Sequence, residues 1–197
     1  MGTDGSTWRG EFAVLAGTIP SVGLSRLFGE SSWVFGYLPD KWVLDWGVGI
    51  FYALTVLWPL GWRRKLSFWR TLGATALSIL AWHGAVQLAA NGYSASSSNE
   101  DSIRFLGRSV VAGFLGAAAV ALAPLGRARG WERHLGLTAA VGGLCGGQMG
   151  LLCLWNFKVG FWLGMFGWQF AVTASLLYGT ARQRTDFTPW WILPQLN

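Results

Sequence analysis

The sequence predicts an all-α protein, a polytopic bundle of transmembrane helices. Five apolar stretches follow one another along the chain, and each is long enough to cross a hydrocarbon core of about 30 Å. Only 12% of the residues are charged, compared with about 25% in a soluble domain. The basic residues concentrate in every second gap between the stretches, which is typical of a protein that crosses a membrane repeatedly.

The predicted spans each contain about 20 mainly apolar residues and cover residues 43–62, 71–90, 109–125, 135–155 and 161–180. Tryptophans at both ends of the first span are typical of side chains at the lipid headgroups. Residues 94–102 are predicted to form a polar loop between the second and third spans, because they are rich in Ser and acidic residues. The chain therefore divides into an N-terminal segment (1–42), the bundle (43–185) and an aromatic interfacial tail (186–197).

The N-terminal segment permits two interpretations. Residues 12–24 are apolar, but Pro20 interrupts them and Arg26 follows them. A run of about 13 residues is short for a span and favours a re-entrant or interfacial helix. A sixth span is the alternative, and it would move the N-terminus to the cytoplasmic side.

The charge pattern predicts the orientation in the membrane, because Lys and Arg are retained on the cytoplasmic side. The first gap, the third gap and the region after the last span hold most of the basic residues: Arg63, Arg64, Lys65 and Arg70, then Arg127, Arg129 and Arg133, then Arg182 and Arg184. The C-terminus is therefore predicted to be cytoplasmic, in an inner or plasma membrane. No cleavable signal peptide is expected, because no basic segment precedes a continuous apolar core.

The net charge of +6 does not indicate a nucleic-acid partner, because the basic residues lie in short loops beside apolar spans. The partners we expect are the lipid bilayer and, on the cytoplasmic side, its anionic headgroups.

Glycines concentrate in the fourth predicted span. They form two adjacent ridges, Gly142, Gly146 and Gly150, and Gly143 and Gly147, and Gly164 continues the pattern in the fifth span. Helix propensity disfavours glycine, so close contact between helix backbones is the physical explanation. The contact is either inside the bundle or with a second copy or partner subunit, and a ligand path along the groove is a third possibility.

A few polar side chains occur at membrane depth and form the candidate ligand-binding site. His83 and Gln87 lie one turn apart in the second span, and Gln148 lies in the fourth. Such side chains normally face a bundle interior or a wet cavity, and Gln169 could join the same polar seam. The alternative is hydrogen bonding between helices. Asp45, at the outer end of the first span, is a further candidate, although a carboxylate there is often only a solvated helix-end residue.

No catalytic signature is present in the sequence: there is no H-E-x-x-H, P-loop or G-x-S-x-G motif. No cofactor is expected, since no cluster of Cys and His could hold a metal and a bis-histidine haem would need a second intramembrane histidine. An enzyme that uses Asp45 or Glu132 at the interface is the weakest of the functional hypotheses.

In size, number of spans and tryptophan content the chain resembles the tryptophan-rich sensory protein family, whose members bind porphyrins and sterols. The resemblance is one of composition and layout, and only residues 32–36 loosely match a motif of that family. Two hypotheses follow from the whole sequence. The first is an accessory, assembly or packing subunit of a membrane complex, and the alternative is a small transporter, channel or receptor that binds a small or lipophilic molecule at the polar seam.

Overall fold

The computed structural model describes residues 5–35, 46–90, 99–125 and 131–182, and these are almost entirely helical, without a strand. The helices are α1 (Gly5–Ala16), α2 (Thr18–Phe35), α3 (Val48–Tyr52), α4 (Trp58–Arg63), α5 (Phe68–Ala90), α6 (Asn99–Leu125), α7 (Trp131–Trp155) and α8 (Phe157–Arg182), and a π-helical segment, Ala53–Leu57, joins α3 to α4. The predicted all-α class is confirmed. The predicted tail, residues 186–197, lies outside the described residues.

Three of the described helices are long and apolar enough to cross a membrane: Asn99–Leu122, Trp131–Trp155 and Val159–Thr180. They correspond to the last three of the five predicted spans. The first predicted span is divided by the π-helical segment into short α-helical pieces. The second, α5, is 23 residues long, but the polar side chains of His83 and Gln87 reduce its apolar character.

The surface of these helices supports a membrane location. Large apolar side chains such as Leu115, Leu144, Leu163 and Phe170 are exposed, while the polar side chain of Gln169 is fully buried. An extended apolar surface of this kind marks contact with a membrane or a partner.

Helix α6 begins earlier than predicted. Residues 99–102, expected at the end of a polar loop, form its first turn, which contains Glu100 and Asp101. Acidic side chains there interact favourably with the positive end of the helix dipole, which explains why the helix extends into a polar sequence.

The helices pack in chain order around a common core. Helix α6 packs between α5 and α7, α7 packs against α8, and α5 contacts α3, α4 and the π-helical segment. Helix α2 contacts α3, the π-helical segment and α8. The main core cluster contains side chains from most of these elements, including Tyr52, Val56, Leu60, Ala117, Val120, Trp168, Val172 and Leu176.

The first glycine ridge of α7 lies directly against α6. A Cβ atom added at Gly142 would be 2.5 Å from the carbonyl oxygen of Gly113, and one added at Gly150 would be 3.0 Å from Cβ of Ser109. At Gly146 an added Cβ would collide with the carbonyl oxygen of Ser109. No side chain fits between the two backbones, as expected for helices in close contact.

The second ridge faces the same neighbour. An added Cβ would be 3.4 Å from Cβ of Phe114 at Gly143 and 3.0 Å from Cγ2 of Val110 at Gly147. In α8, an added Cβ at Gly164 would be 2.6 Å from Cβ of Met149. Each of these glycines therefore contacts a neighbouring helix of the same chain.

One end of the bundle, which we call the basic end, brings together Arg64, His134 and the last turns of α8. The Arg64 guanidinium donates to the carboxylate of Glu11 at 2.8 Å and to the carbonyl of Leu177 at 3.3 Å. The rings of His134 and Tyr178 meet edge to face with centroids 6.0 Å apart. Residues beside the first gap, the third gap and the C-terminal end therefore share one end, as the charge pattern requires.

The N-terminal helices α1 and α2 are separated only at Gly17 and pack along the bundle. An added Cβ at Gly17 would collide with the carbonyl oxygen of Thr55 in the π-helical segment. The pair starts at the basic end, where Glu11 meets Arg64. It continues to Val22, which packs against the second cluster of buried side chains around Val48.

Candidate functional site

Two polar side chains and one backbone carbonyl are linked by hydrogen bonds in the interior of the bundle. The Thr173 hydroxyl donates to the backbone carbonyl of Gln169 at 2.6 Å, and its oxygen lies 2.9 Å from the hydroxyl of Tyr52. Because the single proton of Thr173 is directed to Gln169, the phenol of Tyr52 is the donor in the second bond. Helices α3 and α8 are therefore joined by a polar contact at the centre of an apolar core.

The side-chain amide of Gln169 is the unusual group in this arrangement. The residue is 0% exposed, and neither Nε2 nor Oε1 has a hydrogen-bond partner among the described residues. An amide can donate two hydrogen bonds and accept two more. A buried polar group left unpaired costs about 1–3 kcal/mol, so the amide of Gln169 lowers the stability of the fold by about this amount.

The position of Gln169 follows from the contacts one turn on either side of it. Met165 packs in a cluster with Val48 and Trp82, and Thr173 meets Tyr52. Residues four apart lie on one helix face, so Gln169 lies between these two contacts on the buried face of α8.

A second unpaired polar group comes from α2, which packs against both α3 and α8. The hydroxyl oxygen of Ser21 is buried and has no hydrogen-bond partner in the described part of the chain. The next residue, Val22, packs against the cluster that contains Met165. We call Tyr52, Gln169 and Thr173 the interior polar site, and Ser21 is a separate unpaired group on α2.

The indole rings of Trp168 and Trp82 pack beside this site. The ring of Trp168 lies 6.3 Å from those of both Tyr52 and Trp82, measured between centroids. Its indole N–H donates to the carbonyl of Gly113 at 3.3 Å, and Trp82 meets Phe161 edge to face. The indole hydrogen bond fixes the orientation of Trp168 and ties α8 to the glycine contact between α6 and α7.

The predicted ligand residues His83 and Gln87 lie elsewhere on α5. The imidazole of His83 stacks on the indole of Trp46, with centroids 4.1 Å apart and planes 10° from parallel. Its Nδ1 is buried and has no hydrogen-bond partner within the described ranges. Gln87, one turn further on, is half-buried. His83 and Gln87 are therefore separate from the interior polar site, and neither forms a hydrogen bond to Gln169 in the described structure.

Gln148 does not join them, so the structure does not assemble the single seam that the sequence suggested. Gln148 is exposed on a helix whose main neighbours are α6 and α8. The physical reason is the glycine ridge: Gly146 and Gly150 turn toward α6, and at about 100° per residue Gln148 must point away from it. The fourth predicted residue, Asp45, lies outside the described residues.

Sequence reasoning did not single out Ser21, Tyr52 or Thr173. A usable signal was present in α8, where Gln169 and Thr173 are one turn apart in an apolar helix and must share a face. Tyr52 gave no signal, because it lies in a span already rich in aromatic residues. In the described part of the chain, no group of three His, Cys, Asp or Glu residues could hold a metal ion.

The Tyr52→Phe variant should lose only a little stability. Thr173 still donates to the Gln169 carbonyl in that variant, so one hydrogen bond is lost, which contributes about 0.6 kcal/mol between membrane helices. Thr173→Val removes the same interhelical bond with little change in shape and also leaves the buried Tyr52 hydroxyl without its partner, so it should lose about 1–3 kcal/mol. Reversible unfolding in mixed lipid–detergent micelles measures both values, and wild-type stability in both variants would contradict the hydrogen-bond assignment.

No family model matches the chain, and neither a curated protein nor a solved structure matches it. The class of the protein is therefore defined by its own fold and site. The residues that the structure describes form a helical bundle in which three helices can cross a membrane, and the bundle encloses an amide without a hydrogen-bond partner among those residues.

Proposed function

We propose that this protein is an integral membrane protein that binds a small molecule inside its helix bundle, as small transporters, channels and receptors do. The observation that carries the proposal is the Gln169 amide, which is completely buried and unpaired in the described structure. A ligand with its own donor and acceptor recovers the hydrogen bonds that the fold leaves unmade. Polar side chains at membrane depth commonly mark substrate pathways.

The proposed topology includes all five predicted spans and a sixth crossing formed by α1 and α2. Helix α5 has 23 residues, or about 34 Å at 1.5 Å per residue, which is enough for a crossing. The N-terminal pair supports the sixth crossing, because Glu11 pairs with Arg64 at the basic end while Val22 reaches the cluster around Val48. Both termini then lie on the same side.

The basic end is placed on the cytoplasmic side of an inner or plasma membrane by the positive-inside rule. Its arginines then attract anionic lipid headgroups. This orientation puts the C-terminus in the cytoplasm and the cluster around Val48 in the outer half of the bundle.

The chemistry of the site defines the class of ligand. The groups available are an amide, a hydroxyl and a phenol, all uncharged, beside the indole of Trp168. A buried ion would need a charge or a metal partner, and the interior polar site contains neither. The ligand we propose is a neutral molecule with an amide, urea or alcohol group and an apolar remainder.

The hypothesis of an accessory or assembly subunit loses its main support in the sequence, because the glycine ridges are used inside the chain. One observation still favours a partner in the membrane: the amide of Gln148 is exposed on α7. An accessory role is therefore the second candidate function, and it depends on a different surface from the one that the sequence suggested.

Native mass spectrometry of the protein purified from its membrane tests the binding function. We expect wild type to retain a neutral small molecule and Gln169→Leu to lose it, because the variant cannot form the two hydrogen bonds that orient the ligand. Each lost bond of about 1.4 kcal/mol corresponds to a tenfold loss of affinity.

Gln87→Leu is the matched control, since it replaces a half-buried amide outside the interior polar site, and it should retain the molecule. Loss of the ligand in Gln87→Leu alone would move the site to the His83–Gln87 location. Absence of any ligand from wild type, together with greater stability of Gln169→Leu, would contradict the binding function.

A further inference from the structure

Helix α7 carries a continuous exposed face on the side away from the glycine ridges. The residues of this face are spaced three or four apart and all are exposed: Leu137, Ala140, Leu144, Gln148, Leu151 and Trp155. This spacing aligns them in one stripe along the helix, the pattern of a helix-packing seam. We call this stripe the outer face of α7.

The exposed fractions show that the bundle itself leaves this face uncovered. Leu144 and Trp155 are each 77% exposed, and Leu151 is 57% exposed. Lipid chains can cover the leucines without cost, because they are equally apolar. The leucines alone therefore do not require a protein partner.

Gln148 does require one. It lies in the central part of a helix that can cross a membrane, Trp131–Trp155, and its amide is exposed on that helix. The hydrocarbon core offers no water to hydrogen-bond such a group. Polar side chains at this depth almost always pair with protein groups, so the amide indicates what must cover the outer face.

The geometry points to a second copy of this chain as the occupant, and we propose that the protein forms a parallel homodimer through the outer face of α7. All copies are inserted with the same orientation, because the charge pattern is the same in each. A two-fold axis along the membrane normal then brings identical residues together at the same depth. Gln148 therefore meets its own equivalent.

An amide is suited to this arrangement because it is both donor and acceptor. Two Gln148 side chains related by a two-fold axis form a reciprocal pair of hydrogen bonds, without any charged partner. Leu144 and Leu151, on either side along the stripe, pack against their equivalents and exclude lipid. The proposal rests on α7 crossing the membrane and is independent of ligand binding at Gln169.

The dimer uses a different surface from the oligomer interface that the sequence suggested. Gly142 and Gly146 are occupied by α6 of the same chain, and the second copy contacts the opposite face of the helix. Helix α7 would thus be covered on both sides, by its own bundle and by its partner.

Energy transfer between labelled copies of the full chain, measured in lipid vesicles at decreasing protein density, tests the proposal. Wild type should show a concentration-dependent dimer. Gln148→Leu should weaken it by about tenfold, since two reciprocal hydrogen bonds are lost while size and apolar packing are retained. Gln87→Leu replaces an amide that is not on this face and should leave the dimer unchanged.

Cysteine cross-linking locates the interface independently. Leu144→Cys should form an intermolecular disulfide under mild oxidation, whereas Leu163→Cys, at a leucine that is also exposed but lies on α8, should not. Thermal unfolding of each variant verifies that the chain is folded.

Three results would overturn the proposal. The first is wild-type protein that stays monomeric at every density, and the second is a dimer that Gln148→Leu leaves unchanged. The third is a different membrane protein that co-purifies with wild type and is released by Gln148→Leu, because the outer face would then belong to a heteromeric complex.

Discussion

The Gly146→Ala variant is expected to lose about 1–3 kcal/mol of stability, the usual cost of inserting a methyl group into a closely packed contact. The added Cβ would collide with the carbonyl oxygen of Ser109 and lie 3.0 Å from the Cα of Gly113. Both are backbone atoms and cannot rotate away, so α6 and α7 must separate. The separation also weakens the hydrogen bond from Trp168 to the Gly113 carbonyl, which links this contact to the indole rings beside the interior polar site.

The matched control is Gly136→Ala on the same helix, where an added Cβ meets nothing within 4 Å. That variant should be as stable as wild type or slightly more stable, because alanine favours a helix over glycine by up to about 1 kcal/mol. Reversible unfolding in mixed micelles compares the two. Equal stability of the two variants would show that α6 and α7 do not approach each other at Gly146.

The Arg64→Met variant should lose about 3 kcal/mol, because it leaves the carboxylate of Glu11 without its partner in a largely buried position. The Arg64 guanidinium nitrogen lies 2.8 Å from the Glu11 carboxylate oxygen, and the side chains of Arg64 and Glu11 are only 6% and 21% exposed. We expect the low end of the range for a broken buried pair, since part of Glu11 still reaches solvent. The same guanidinium also donates to the Leu177 carbonyl. The substitution therefore removes the hydrogen bonds that join the end of α4 to α1 and to α8.

An exposed pair in the same chain serves as the control. Glu100 and Arg104 form an ion pair one turn apart in α6, with side chains 73% and 64% exposed. Removing it through Arg104→Met should cost no more than about 0.5 kcal/mol. The double variant Glu11→Gln and Arg64→Met should recover much of the loss, because no uncompensated charge remains. If Arg64→Met were as mild as Arg104→Met, the packing of α1 on the basic end would be wrong.

Much of the fold could be predicted from the sequence because helices in a membrane are specified locally. The predicted spans 135–155 and 161–180 lie within α7 and α8. The charge pattern correctly anticipated that the first gap and the end of α8 share one end of the bundle. The division of the first span by the π-helical segment was not anticipated, because residues 53–57 contain no proline or glycine to signal it.

The candidate site was predictable only in part. Polar side chains at membrane depth were identified, but His83, Gln87 and Gln148 were grouped into one seam that the structure does not form. The interior polar site depends on Tyr52 and Thr173, which are separated by more than half of the chain. Which distant residues meet is decided by helix pairing, and no local pattern in the sequence records it.

Gln148 and Gln169 show which properties can be predicted from the sequence and which depend on the tertiary structure. Both are amides in apolar helices that are long enough to cross a membrane. The sequence could predict this because hydropathy is a sum over neighbouring residues. Only the packing determined their direction. The glycine ridge turns α7 so that Gln148 is exposed, whereas the contacts of Met165 and Thr173 turn Gln169 into the core. The rotation of each helix about its axis is set by its neighbours, so it could not be read from the helix alone.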